Sequence, residues 1–469
     1  MLPRCRTEGD GYAVPKFDLT KRELGDFVNE LKGFHQEFRE CFGRNEPREN
    51  FFRYMAGQFS ELERKSIEPI ALAVEGADVR CLQRFVSEVI WDEAKMLEKY
   101  RSMVEEDMGD EDGVLIFDES AFPKKGEDSV GVARQYCGSL GKVENCQVGV
   151  FMAYGSPHGY ALLDKRLFIP EKWFEEGYAE RRKKCELSPA VGFKTKPQLA
   201  VEMFEGIQQK LPLKYVVSDT VYGRSPEFID AVDRCMGVRY LVEVPLDTRC
   251  WLRKPMVIKK QYRYRGELHI KEILDEGAKK PVSVQALAKS LNDFYWYRRK
   301  VSEGTKGPIE YEFTKRRVVL SREGLPDKEV WLLIRRTLGD DPKYFLLPQQ
   351  CPGEHAPEDL RLAERHPLGH RAVLRGSQNR ARHGPLRGPQ ICRLEPPHAH
   401  LHARPLLPLA PENQAGGKKH QLLRCRSLGY CFVYFCHCGV SKRIGSFDSS
   451  CGFKEGTTSP TSHIVVGRL

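Results

Sequence analysis

VLIFDESAFPKKG, residues 114–126, and KYVVSDTVYG, residues 214–223, decide how this chain is read. In each, an apolar, β-branched run meets an aspartate, Asp118 in the first and Asp219 in the second, followed by small or polar residues. One strand ending on Asp is ordinary, because Asp favours turns and caps. Two such strands predict a pair of acids delivered to one place, where close carboxylates repel unless a cation offsets them. Oxygen ligands of this kind suit Mg²⁺ or Mn²⁺, and the chemistry such a site serves is phosphoryl transfer.

Around the two strings the hydrophobic period predicts an ordered series of elements. Val114–Asp118, Gln147–Tyr154 and Tyr160–Phe168 read as three consecutive strands. A helix over Pro197–Lys210, a strand over Leu213–Ser218, a helix over Pro226–Cys235 and a strand over Arg239–Val244 follow. Three strands and then αβαβ is the order of a ribonuclease-H-like α/β domain with a mixed sheet. Asp118 then ends its first strand and Asp219 its fourth, neighbours at the sheet centre. Residues 17–108 read as helical, through Leu19–Phe42 and Asp78–Met103, with Arg44, Arg48, Arg53, Arg64 and Lys65 recurring between. From 245 to about 343 the β pattern returns, clearest in IEYEFTKRRVVL and VWLLIRR. The expected division is a helical domain at 1–108, a catalytic core at 109–244, a β-rich insertion at 245–347 and a tail at 348–469 with little stable structure.

The 469 residues carry a formal charge of +10, with 30% charged residues and a pI near 8.8. A basic balance is compatible with nucleic acid and equally with a plain solvated surface. Met1–Gly11 is polar, and the longest aromatic-rich apolar run, Tyr430–Cys436, is too short for a bilayer. The expectation from these features is a soluble, intracellular protein with no membrane partner; a cytoplasmic, nucleoid-associated place follows only if the chain acts on DNA. Fifteen cysteines without a CxxC pair before residue 346 read as reduced thiols. Cys436, His437 and Cys438 are adjacent, which is the wrong spacing for zinc.

Several strings in order resemble the DDE-type transposases of bacterial insertion sequences. They are IFDESAFPKKG, ARQYCGSLGKVENCQVGVF (133–151), FKTKPQLA (193–200), VVSDTVYG, ERKSIEPIA (63–71), LQRFVSEVIWD (82–92) and GTKGPIEYEF (304–313). The likeness covers about residues 20–347. It implies that Asp118 and Asp219 are the first two acids of a catalytic and metal-binding triad. It also implies a helical domain that binds the terminal inverted repeats, a β insertion that contacts the DNA end, target DNA as a second partner, and action as a dimer on DNA.

Further candidates divide between two roles. Lys124 and Lys125 either hold a phosphate of the cleaved strand or line a solvated loop. Arg134, with Gln135 and Asn145, either touches DNA or builds a turn. Trp296 with Arg298 and Arg299, beside Tyr295 and Tyr297, either stacks a flipped base or belongs to the sheet core.

The family's third acid sits in a helix resembling RW-x-IE-x-x-F-x-x-x-K, and no such string occurs here. Instead, residues 346–429 hold no Phe, Tyr or Trp, although aromatics are 10% of the chain. Residues 351–410 hold nine Arg, no Lys, nine Pro and seven of the thirteen His. Rich in Leu, His and Arg but with no helical or strand period, this is the composition of DNA read out of frame. Joining the last two bases of each codon to the first of the next converts RGSQNRARHGPLRGPQ (375–390) to EEAKTELGMDHYEVRK with permitted codons. The same shift upstream from Glu364 gives SGIRW-x-IEQCF, and downstream through Pro397 it gives YAGWNHH. The change of frame is expected near Pro348–Cys351, and the missing Glu would overlap the codon of Arg371. On the alternative of a genuine tail, Glu354, Glu358 or Glu364 would have to substitute.

Overall fold

The computed structural model describes residues 21–348, apart from 60–61, 63–65, 139, 266, 305–306 and 337–342. Arg64, Lys65, the segment expected to be out of frame, the three acids offered as substitutes and the Cys436–Cys438 triplet lie outside the described residues. The described residues fall into two compact units, divided between residues 107 and 108.

The described part of the first unit is helical: α1 (Lys21–Glu37), α2 (Asn45–Phe59), α3 (Ile67–Ala73), α4 (Val79–Ser87) and α5 (Glu93–Met108). The stretch expected as one helix over 78–103 is therefore two. Asp78 accepts a hydrogen bond from the Cys81 N–H and Asp92 from the Lys95 N–H, each at 2.9 Å, so each starts a new helix. The core is aromatic, with Phe38, Phe42, Phe51, Phe85 and Trp91 buried and in ring contact. Arg48 donates to Asn45 within α2, and Arg53 pairs with Glu49 in the same helix.

The second unit runs β1 (Val114–Pro123), β2 (Ala133–Cys137), β3 (Lys142–Ser156), β4 (Gly159–Phe168), α6 (Ala179–Lys184), α7 (Lys196–Glu205), β5 (Tyr215–Ser218), α8 (Thr220–Gly223), α9 (Pro226–Asp233) and β6 (Arg239–Val244). It continues through β7 (Arg249–Trp251), β8 (Val257–Tyr264), β9 (Glu267–Leu274), β10 (Val282–Ser283), α10 (Val284–Lys289), β11 (Tyr297–Gly304), β12 (Gly307–Arg322), β13 (Leu325–Arg336) and β14 (Lys343–Pro348). The central strands lie in the order β4-β3-β1-β5-β6. β3 is antiparallel to β1 and β4, while β1, β5 and β6 are mutually parallel, the mixed sheet expected of a ribonuclease-H-like core. β14 then pairs antiparallel with β6 and brings β13, β12 and β7 onto the same sheet. Phe313 and Leu333 from those strands bury against Val217 and Leu241 of the core.

α7 starts with a reciprocal cap: the Thr195 hydroxyl accepts from the Gln198 N–H, and the Gln198 side chain accepts from the Thr195 N–H. α9 is capped by Ser225 and lays Phe228 edge-on against Phe117, ring centroids 5.3 Å apart. No helix among the described residues is long and apolar enough to cross a membrane.

β1 differs from the expected strand by continuing five residues past Asp118. β3 accompanies it along its whole length, from Val114 opposite Gly155 to Pro123 opposite Cys146, and so keeps it extended. The parallel pairing with β5 does stop at Phe117 opposite Ser218. Asp118 thus ends one of the two ladders that β1 takes part in, not the strand itself. β2, unmarked in the sequence reading, is a short strand whose alternation buries Ala133 and Cys137 and exposes Arg134 and Tyr136.

Candidate active site

The last paired rows of the parallel strands place three acids side by side. Phe117 faces Ser218 across β1 and β5, and Ser218 faces Val242 across β5 and β6. The next residue on each chain is Asp118, Asp219 and Glu243. They stand at the carboxyl end of β5, where open α/β sheets take their ligands. Side chains alternate along a strand, so each acid shares the face of the residue two before it. Those residues are Ile116, Val217 and Leu241, and the latter two pack against the strands returning from the insertion.

Local structure fixes each carboxylate. An Asp118 oxygen accepts from the Glu119 N–H at 2.7 Å. Asp219 caps α8, accepting from the Val221 N–H at 2.9 Å, which stops its side chain from rotating away from the helix start. Gly223 at the end of α8 lies so close to β6 that a Cβ there would overlap the Glu243 carbonyl oxygen. Only glycine lets α8 turn this tightly onto the strand that carries Glu243.

Electrostatics single out Asp219. Burial pushes its carboxyl up to about 7, helped by the negative charge of Asp118, then Glu119 and Glu243, while the Val221 hydrogen bond works the other way. Ionising this group next to its neighbours is costly, and a cation would remove most of that cost. The donor set is hard oxygen, which suits Mg²⁺ or Mn²⁺. Among the described residues no third His, Cys, Asp or Glu closes with these two into a metal-binding group.

Behind the acids, on the opposite face of β1, lie groups that sequence reasoning missed. Glu119 forms an ion pair with Lys196, at the first turn of α7, at 2.7 Å. Tyr222 is fully buried against Phe117 and Phe228 with no partner for its hydroxyl, and burial raises its pKa well above 10. The signals were present in the sequence: Glu119 follows Asp118 directly, and Tyr222 stands three residues after the capping Asp219.

The other predicted residues are placed elsewhere. Lys124 is six residues beyond Asp118 on or just after β1, about 20 Å along at roughly 3.3 Å per residue. Its carbonyl and that of Gly126 accept from the Asn145 amide at 2.9 and 3.0 Å, so Asn145 serves to hold this loop. Lys125 and Arg134 are exposed, with Arg134 opposite Asn145 on β2. Gln135 donates to the Cys146 carbonyl and is structural. The Trp296 ring is covered by the Arg336 guanidinium, 4.0 Å from its centroid, and Arg336 is itself paired with Glu312 and Asp293. That face of the indole is filled from within the chain. Arg298 lies 3.9 and 3.8 Å from Glu310 and Glu312, and Arg299 is 5.9 Å from the Tyr297 ring. Neither set is brought to the acids by any contact found among the described residues.

Comparison with known proteins agrees with this core. The sequence model of the family described as DDE superfamily endonuclease matches residues 37–308. A curated relative, the probable transposase for insertion sequence element IS701 of Microchaete diplosiphon, is 25% identical over 291 residues. That match takes in 61% of this chain and 66% of the relative, so the chain spans just under two thirds of the relative's length.

Proposed function

Because this chain belongs to the DDE superfamily of endonucleases, we propose that its α/β unit is built to act as an insertion-sequence transposase. The reaction is cleavage of DNA at the ends of the element, followed by joining of the freed 3′-hydroxyl to target DNA. The observation that supports this most is the pairing of Asp118 and Asp219 one step beyond the same rung of neighbouring parallel strands. Asp219, raised to about 7 by burial and by the acids beside it, is a carboxylate waiting for a cation. Asp118 and Asp219 would hold Mg²⁺ or Mn²⁺, which supplies activation of the attacking oxygen and charge neutralisation at the phosphate. The chain's own contribution is to fix the two carboxylates through a strand register and a helix cap, and to balance Glu119 with Lys196 so that the negative charge stays local.

The chain as written lacks the string that carries the family's third acid. We therefore assign it the role of a defective copy, able to occupy terminal repeats and inhibit intact transposase without cutting. Loss of one ligand from a positioned triad costs orders of magnitude in rate. A gel shift with element ends, run beside a Mg²⁺-dependent cleavage assay, tests both parts. Binding without cleavage is expected for this chain, and binding with cleavage for a version whose frame is restored near codon 349. Cleavage by the chain as written removes the defective-copy reading, and failure of the restored version to bind or cut removes the transposase reading.

A further inference from the structure

β4 changes face half-way along its length, and that change selects which of its charged residues looks toward the acids. Ala153 of β3 faces Leu162 of β4, so unbroken pairing would set Met152 against Leu163 and Phe151 against Asp164. Instead the register shifts between Met152 and Ala153, Leu163 is left unmatched, and Phe151 faces Lys165. On its other side Phe151 faces Asp118. Residues directly opposite on neighbouring antiparallel strands share a face, so Asp118, Phe151 and Lys165 form one row on the face that carries Asp118. Without the extra residue that row would hold two aspartates, because a slip of one turns every side chain over. With it, the row holds an aspartate and a lysine. Bulges re-aim side chains in this way and are over-represented beside active sites.

The row is held from behind and cleared in the middle. Asp164 is buried on the far face, where its carboxylate accepts from the Lys165 N–H at 2.6 Å and pairs with Arg166. Phe151 stands between Asp118 and Lys165, but its ring leans along the strand over Gly149. A Cβ on Gly149 would come within 2.9 Å of that ring, which also reaches Phe122 at 6.2 Å between centroids. Asp118 and Lys165 are two strand spacings apart, about 10 Å between Cα atoms at roughly 4.8 Å per strand. Lysine spans such a gap on its flexible four-carbon stem. The other lysines and arginines among the described residues of β1, β3, β4, β5 and β6 are placed differently. Lys142 and Arg166 fall on the far face, and Arg239 starts β6 at the end away from Glu243.

We propose that Lys165 belongs to the active site, where its ammonium holds a non-bridging oxygen of the phosphate brought to Asp118 and Asp219. This rests on the reading of the two acids as a metal-assisted phosphoryl-transfer site, and adds a residue to it. Carboxylates attract the metal but repel the phosphate, so part of the phosphate charge has to be met by a cation of the protein. A lysine in the acid row meets it as a point charge whose stem lets it follow the oxygen. The ammonium keeps its proton throughout and acts by charge and hydrogen bonding alone. Losing a hydrogen bond from a charged donor weakens binding by about 10- to 100-fold.

The test uses the full chain as written, with Mn²⁺ and inorganic phosphate as probes and no DNA. Electron paramagnetic resonance measures bound Mn²⁺, and broadening of the phosphorus NMR line by that Mn²⁺ measures phosphate affinity at the same place. Lys165→Met is expected to keep Mn²⁺ and to weaken phosphate by about 10- to 100-fold. Lys165→Arg keeps the charge and is expected to stay within about threefold of the parent. A methionine variant that binds phosphate as the parent does overturns the inference and leaves the metal site standing. An arginine variant as weak as the methionine one overturns it too, since charge would not be the cause. Loss of Mn²⁺ together with phosphate in Lys165→Met also overturns it, because the lysine would then be supporting the acids and not the phosphate. A Mn²⁺-loaded parent that binds no phosphate has the same effect. A parent that binds no Mn²⁺ refutes the metal-site reading itself, and the phosphate seat falls with it.

Discussion

Replacing Asp219 with Asn should make the metal-free protein more stable at alkaline pH, the opposite of what most changes in a partly buried site do. An ordinary aspartate titrates at 3.8, and Asp219 is pushed to about 7. Its folded pKa is raised, so its contribution to stability is fully present below 3.8 and is lost as pH rises through about 7. The interval sets a ceiling of about 4 kcal/mol, and partial exposure to water brings the expected penalty to about 2 kcal/mol. Asn carries no charge and still caps α8, because Asn and Asp are equivalent N-caps. Urea unfolding of parent and variant should therefore agree at about pH 4 and differ by about 2 kcal/mol at about pH 8 in EDTA. Intrinsic fluorescence is a suitable probe, since four of the five tryptophans, Trp173, Trp251, Trp296 and Trp331, lie in the α/β unit. Excess Mg²⁺ should close the gap by stabilising the parent above about pH 7 and the variant much less. A variant no more stable than the parent at about pH 8, with the same pH slope, would refute the claim that Asp219 is held against its own ionisation.

The remaining predictions concern the surroundings of the acids. Gly223→Ala should cost about 1–3 kcal/mol, because the added Cβ meets backbone of β6. Gly126→Ala, where nothing lies within 4 Å, should leave the melting temperature unchanged. Lys196→Met strands Glu119 near Asp219 and should destabilise by about 1–2 kcal/mol in denaturant titration. Adding Glu119→Gln should recover part of that loss, and a double-mutant cycle with no coupling would deny the pair any role. In a frame-restored version, Asp118→Asn should keep the gel shift and abolish Mg²⁺-dependent cleavage.

Much of the core could be read from the chain because its information is local. β5, α9 and β6 are short runs bounded by caps and turns, and their limits fall within a few residues of expectation. The place where Asp118 sits was harder, because β1 belongs to two ladders of different length, and pairing partners are not written in the strand itself. Glu243 was invisible for the same reason: it becomes a neighbour of Asp219 only through the β5–β6 register. The break between α4 and α5 was legible in principle, through Asp78 and Asp92, but the apolar period runs across it and masked it. Trp296 shows the limit of composition. Aromatics beside arginines suit base stacking, yet the arginine that covers Trp296 comes from β13, forty residues later.

Asp118 and Asp219 would stay in place in a chain that had lost a third acid, and the architecture explains why. Asp118 and Asp219 are set by a parallel register and a helix cap, both complete before residue 224. β14 returns the chain to the edge of β6 by Pro348, so the sheet that carries the acids is paired on both sides without anything later. A change of frame near Pro348–Cys351 would strike after that closure. Folding of the pair and chemistry at the pair would then be separable: the first would need only what precedes such a break, the second an acid beyond it. On the proposed function, restoring one base near codon 349 should add cleavage to DNA binding, with little change in the unfolding transition of the α/β unit. Sequencing the gene and finding peptides such as TELGMDHYEVR in the expressed product would show the cell making that repair itself. Stop codons in the shifted frame ahead of the family helix would rule it out.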